Sequence, residues 1–206
     1  MIEYIDRLLT QTEVNEFRNF YKKFGDDLSM NIHMSDKLER GHNGCGDRST
    51  HLNNKKFAQL FFPIRTVIDK LQERYGKFDV WEESIRYHFY PFPAHTDYVQ
   101  TTLQPYKQIL IPLWWDEDFN PATYFFSSPP QWGEKLYNDC LDDLPRYKSN
   151  KQINLSIKEV QKWKQPGDAI VWDMFEYHCS NDNDKNEYSI EKHYKEFISL
   201  KTNLTN

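Results

Sequence analysis

After Gly76 the chain changes its periodicity, and that change constrains the fold more than any other feature. Runs rich in aromatic and β-branched residues follow one another: Ser84 to Tyr90, Gln108 to Trp115, Thr123 to Phe126, Ala169 to Trp172 and Glu196 to Lys201. Pro, Asn, Asp and Gly separate them, which is the pattern of strands bounded by turns. No regular alternation of strand and helix runs through this half, so a doubly wound parallel sheet is not expected. Phe, Tyr and Trp make up 16% of the 206 residues while the whole hydrophobic fraction is only 38%. The apolar material is therefore concentrated in rings, which suits a β-rich core.

The first 76 residues read differently. Thr10 and Glu13 have capping-box spacing, in which a hydroxyl and a carboxylate satisfy the free N–H groups of a helix start. Val14, Phe17, Phe20, Tyr21 and Phe24 supply an apolar stripe that Gly25 ends. From Gly25 to about Asn54 the chain is polar without either period and reads as a long surface loop. Phe57, Leu60, Phe61, Ile64, Val67, Ile68 and Leu71 recur at three- and four-residue steps, predicting a second helix that Pro63 kinks near its first turns. Ser127 to Gln165, with Pro129, Pro130, Asp142, Asp143 and Pro145, reads as an irregular insertion. The expected fold is α+β, a double-sheet jelly roll braced by the N-terminal helices. One domain is expected over 1–206, with a helical part to about 76, a jelly-roll part over about 77–202 and the insertion over about 127–165.

Charge and cysteine usage narrow the partners. Twenty-six Lys and Arg against 31 Asp and Glu give a net charge of −5, which works against binding a phosphate backbone. No nucleic-acid partner is expected. Cys45, Cys140 and Cys179 are odd in number, far apart and form no C-x-x-C pair, as in a reducing compartment. The start of the chain has no long apolar run, so a cytoplasmic protein without a membrane segment is expected. The oligomeric state is not legible.

His95 and Asp97 form an H-x-D pair, and residues i and i+2 of an extended chain point to one side, where both can reach one ion. Seven His and 17 Asp in 206 residues make about 0.6 such pairs expected by chance, so the surroundings must carry the case. A strand from Ile85 to Tyr90 leads through Pro91 and Pro93 into the pair. Pro166, Gly167 and Asp168 form a turn that launches the apolar run Ala169 to Trp172, and His178 follows six residues later as a third ligand. Lys195 to Lys201 then reads as a strand with a cation on the Phe197 and Ser199 face, and a buried cation there needs an anion. Two histidines and a carboxylate on one face of an ion leave positions open, the arrangement of non-haem Fe(II) oxygenases. No H-E-x-x-H or equivalent favours zinc hydrolysis.

In this order of motifs, over roughly Leu8 to Thr202, the chain resembles the 2-oxoglutarate/Fe(II)-dependent dioxygenases. The entry from Ile5 to Glu13 is similar to the prolyl-hydroxylase-like branch. The resemblance implies a double-stranded β-helix holding Fe(II) through His95, Asp97 and His178, with 2-oxoglutarate chelating the metal. It implies O2 as oxidant, decarboxylation of 2-oxoglutarate to succinate and CO2, and hydroxylation of a small molecule or a protein or peptide side chain. The distal carboxylate of 2-oxoglutarate then pairs with a basic residue. An arginine is usual; here Lys195, four residues before Ser199, is the favoured match, with Lys201 at the same strand parity and Lys107 on an earlier strand as alternatives. Tyr87 is a hydroxyl partner for the same carboxylate.

Other residues have plainer readings. His33, His42, His51 and Cys45 match no compact zinc spacing. Gly41, Gly44 and Gly46 lack the Lys-Ser/Thr of a phosphate loop. Trp114 and Trp115 point to opposite faces, His88 is structural or exposed, Asp116 to Asp118 form a solvated turn, and Cys179 is a small buried residue. Two rival functions remain: a jelly-roll metal-binding protein without oxygenase activity, and a cupin-like iron dioxygenase that does not use 2-oxoglutarate.

Overall fold

The computed structural model describes residues 1–24, 31–34, 46–51, 63–88, 107–117, 119–126, 157–180 and 195–204. Its strands are β1 (Ile2–Ile5), β2 (Asn31–Met34), β3 (Gly46–His51), β4 (Val80–His88), β5 (Lys107–Trp115), β6 (Ala122–Phe126), β7 (Ile157–Lys162), β8 (Ala169–Asp173), β9 (His178–Ser180) and β10 (Lys195–Thr202). Two helices accompany them, α1 (Gln11–Phe24) and α2 (Pro63–Tyr75). The strands form a seven-stranded sheet in the order β1-β8-β5-β10-β4-β3-β2 and a three-stranded sheet in the order β7-β6-β9. Every strand pair among them is antiparallel. From β5 onward the chain leaves the larger sheet for β6 and β7, returns for β8, leaves for β9 and returns for β10.

Alternation along the strands divides the core in two. Ile85, Ile109, Ile111, Leu113, Val171, Ile198 and Leu200 pack with Val14 and Phe17 of α1 and with Val67 and Leu71 of α2. Leu110, Ile170, Trp172 and Phe197 leave the opposite face of the same sheet and meet Phe125 of the smaller sheet. The larger sheet is thus covered by helices on one side and by the second sheet on the other.

The capping box forms as expected: the Thr10 N–H donates to Glu13 Oε2 at 2.7 Å and the Glu13 N–H to Thr10 Oγ1 at 3.3 Å. Lys70 of α2 ties the two helices together by donating to Glu13 at 2.6 Å and to the Leu8 carbonyl at 3.1 Å. Arg18 of α1 reaches the sheet, pairing with Glu196 of β10 at 2.7 Å while its guanidinium lies 5.1 Å from the Trp114 ring.

Several expectations need correction. Pro63 opens α2 rather than kinking it, since a first-turn position needs no N–H; Phe57, Leu60 and Phe61 lie outside the described residues. The polar stretch expected as a loop contains β2 and β3, which extend the larger sheet beyond β4. The expected insertion over 127–165 contains β7, an edge strand of the smaller sheet.

The turn at Gly167 joins the layers. Gly167 has φ 90°, its N–H donates to the Pro112 carbonyl and its carbonyl accepts from the Leu9 N–H, both at 2.8 Å. The next residue, Asp168, is fully buried and accepts from Tyr4 Oη at 2.5 Å, the Arg7 N–H at 2.7 Å and Gln165 Nε2 at 3.0 Å. Asp168 therefore anchors β1 against β8 and is no free carboxylate. A Cβ at Gly167 would collide with the Leu9 backbone oxygen. Gly167→Ala is expected to cost about 3–5 kcal/mol, combining left-handed strain with overpacking. At Gly76, with φ 80° but nothing within 4 Å of the added Cβ, the same change is expected to cost only about 1 kcal/mol. Denaturant unfolding of the two variants checks the contrast.

Candidate functional site

His178 begins β9 and is 6% exposed. The turn from Asp173, closed by the Glu176 N–H donating to the Asp173 carbonyl at 2.7 Å, carries the chain from the larger sheet to the smaller one. The imidazole enters the inter-sheet space, 5.0 Å from the Trp172 ring and 5.9 Å from the Phe125 ring, and those two rings meet edge to face at 5.5 Å. His178 Nδ1 lies 2.9 Å from the Glu176 carbonyl oxygen. A carbonyl only accepts, so Nδ1 carries the proton of this bond.

Lys195 begins β10 and enters the same space from the other sheet. It is 2% exposed. Its Nζ lies 5.0 Å from the Trp163 ring and 5.7 Å from the Phe197 ring, and those rings meet edge to face at 5.8 Å. Trp163 is fixed by Trp115 at 6.1 Å and by its Nε1–H donating to Thr123 Oγ1 at 3.4 Å. Burial pushes the Lys195 ammonium down to about 7, and the nearby Cys179 thiol offsets this in part. Burial this deep makes the charged form of the side chain costly.

The other predicted residues fall into three groups. Lys201 shares the face of Lys195, Phe197 and Ser199 but stands six residues further along, opposite Gln108 of β5, and is only partly buried. Lys107 shares the strand parity of Ile109 and Ile111 and pairs with Asp173 at 3.1 Å, on the helix side of the sheet. Tyr87 is also on the helix side: it stands in register with Glu196, whereas Lys195 is in register with His88. Tyr87 and Lys195 therefore stand on opposite faces of the sheet. His95 and Asp97 lie outside the described residues, as do His42, Cys45 and Cys140. Among the described residues no group of three His, Cys, Asp or Glu side chains is placed to hold a metal.

Sequence reasoning missed the aromatic frame. Trp163 sits just past β7, in a stretch read as irregular, and Trp172 was legible only as part of an apolar run. It also missed Arg86, which donates through Nε to Ser84 Oγ at 3.2 Å and stands opposite Phe197, on the face that carries Lys195. The expected division of the Trp pair is borne out, with Trp114 toward Arg18 of α1 and Trp115 toward Trp163. Cys179 is a buried free thiol, as expected.

No family model matches the sequence, and no curated protein matches it either. Solved structures do. The non-heme alpha ketoglutarate dependent epimerase SnoN from nogalamycin biosynthesis superposes with a TM-score of 0.59 at 12% identity, over 98% of this chain and 77% of that one. The alpha ketoglutarate dependent carbocyclase SnoK from the same biosynthesis gives 0.55 at 13% identity, over 98% and 78%. HygX from Streptomyces hygroscopicus, solved with nickel and 2-oxoglutarate bound, gives 0.55 at 14% identity, over 98% and 82%. The described part of the chain therefore shares the fold of these three solved structures.

Proposed function

We propose that the protein is an Fe(II)- and 2-oxoglutarate-dependent oxygenase acting on a small molecule or a peptide side chain. The observation that carries this reading is the convergence of His178 and Lys195, from two different sheets, on one aromatic space. A metal-binding imidazole at one end and a buried ammonium at the other fit a chelating dicarboxylate. The shared fold and the alternation of strands between two antiparallel sheets support a single jelly-roll domain around that space.

In this reading His95, Asp97 and His178 hold the iron, and Lys195 pairs with the distal carboxylate of 2-oxoglutarate. The proton on His178 Nδ1 supports the ligand role, because its hydrogen bond to the Glu176 carbonyl orients the ring for coordination through Nε2. The bound iron supplies activation of O2 coupled to decarboxylation of 2-oxoglutarate, and the protein supplies orientation, exclusion of water and charge. Trp163 and Phe197 hold the Lys195 side chain in place, and Trp172 and Phe125 hold the His178 ring. Gln108 fixes Ser199 by donating through Nε2 to its Oγ at 2.6 Å, on the Lys195 face. The free Cys179 and the cysteine pattern fit a reducing, cytoplasmic setting. No described helix is long and apolar enough to cross a membrane.

Succinate release measures the activity without knowledge of the substrate, because slow uncoupled decarboxylation of 2-oxoglutarate is expected even alone. The expected result is succinate that requires Fe(II), 2-oxoglutarate and O2 together. Succinate formation indifferent to iron, or none with all three present, contradicts the proposal.

A further inference from the structure

Two buried polar atoms in the inter-sheet space lack hydrogen-bond partners among the described residues: Trp172 Nε1 and Gln108 Oε1. They are neighbours, since Gln108 of β5 and Trp172 of β8 stand opposite each other in register. Trp172 is 1% exposed and Gln108 5%. Buried donors and acceptors are nearly always paired, and an orphan costs stability, so two side by side ask for a reason. Packing alone gives none at Gln108, because leucine would fill a similar volume without orphaning a polar atom. Gln108 is held by its Nε2–H on Ser199 Oγ at 2.6 Å, which leaves Oε1 as the outward atom.

We infer that Trp172 and Gln108 form a subsite that takes a neutral hydroxyl of the substrate beside His178. An indole N–H only donates and an amide oxygen only accepts. The group that satisfies both must accept one hydrogen bond and donate another, as an alcohol does. A carboxylate would satisfy the indole and be repelled by the amide oxygen. The Trp172 and His178 rings lie 5.0 Å apart, and Lys201 stands opposite Gln108 on β10. The assignment rests on the oxygenase reading for the word substrate, while the hydrogen-bonding chemistry of the pair does not. The amide could present its N–H instead only if the Ser199 hydroxyl became the donor, and the pair would then select an anion.

The test uses metal-free protein, so that a failure of the oxygenase reading leaves its outcome standing. Trp172→Phe keeps a ring and removes the orphan donor, and relief of the orphan is expected to offset the packing lost with the smaller ring, leaving Tm within about 2 °C of wild type. In tryptophan-labelled wild type, the Trp172 indole N–H resonance, identified by its loss in that variant, is expected to move on titration with glycerol and not with acetate. Gln108→Leu is expected to abolish the movement. A resonance indifferent to glycerol, or one that moves with acetate instead, overturns the inference.

Discussion

Replacing Lys195 with Met is expected to weaken 2-oxoglutarate binding by a factor of roughly 30 to several thousand, while the ligand-free protein becomes more stable. The first effect follows from removing one partner of a buried charge pair, which costs roughly 2–5 kcal/mol. The second follows from the same burial. Methionine fills the channel between Trp163 and Phe197 without an ammonium that must be desolvated. The folded pKa of about 7 lies below the unfolded lysine value of about 10.4. The folded state therefore disfavours the bound proton, the penalty is full below about pH 7, and it is relieved as pH climbs from there toward about 10.4. The stability gain of Lys195→Met is expected to be largest below about pH 7. In the wild type, the anion must draw a proton onto Lys195 above that pH, so 2-oxoglutarate affinity should fall by up to about tenfold per pH unit. Calorimetric titrations on either side of neutrality check both signs. If Lys201→Met weakens 2-oxoglutarate and Lys195→Met does not, the cation has been misassigned.

The second large effect is expected at the metal. His178→Ala and Asp97→Ala should each abolish iron-dependent succinate formation, with iron affinity falling by more than the roughly 10–100-fold that loss of an outer-shell partner causes. Global unfolding is a separate matter for His178, whose ring fills space between Trp172 and Phe125. His178→Gln preserves more of that volume and should fold while still failing to turn over. A His178 variant that folds and retains full iron-dependent turnover would remove the histidine from the metal site.

Much of the sheet was legible because its central strands are long and apolar. Gln108 to Trp115 and Ala169 to Trp172 announce themselves, and the structure extends each by only one residue. The strands that escaped are short or lie at edges. β9 is His178, Cys179 and Ser180, with no large apolar residue to mark it. β7 alternates exposed Lys158, Val160 and Lys162 with half-buried Glu159 and Gln161, the polar dress of an edge strand that resists pairing with other chains. β1 is four residues long and draws its stability from Asp168, 164 positions away from Tyr4, a link no local pattern reveals.

The site was legible to the same degree. Lys195 could be read because parity along one strand puts it with Phe197 and Ser199. Tyr87 could not, because its placement depends on cross-strand register. A shift of one residue decides whether Tyr87 stands opposite Lys195 or Glu196, and the chain sets it opposite Glu196. The hydrogen bond that fixes the His178 tautomer comes from a backbone carbonyl, which carries no sequence signal at all.

The central claim, that one space holds both the metal and a dicarboxylate, is tested most directly by anaerobic addition of Fe(II) and then 2-oxoglutarate to the wild-type protein and to the Lys195→Met and His178→Gln variants. The expected result is a weak visible charge-transfer band in the wild type that needs both additions. It should require far more 2-oxoglutarate in Lys195→Met and be absent in His178→Gln. A wild-type protein that binds iron and shows no band at saturating 2-oxoglutarate, or a band unaffected by either substitution, contradicts the account.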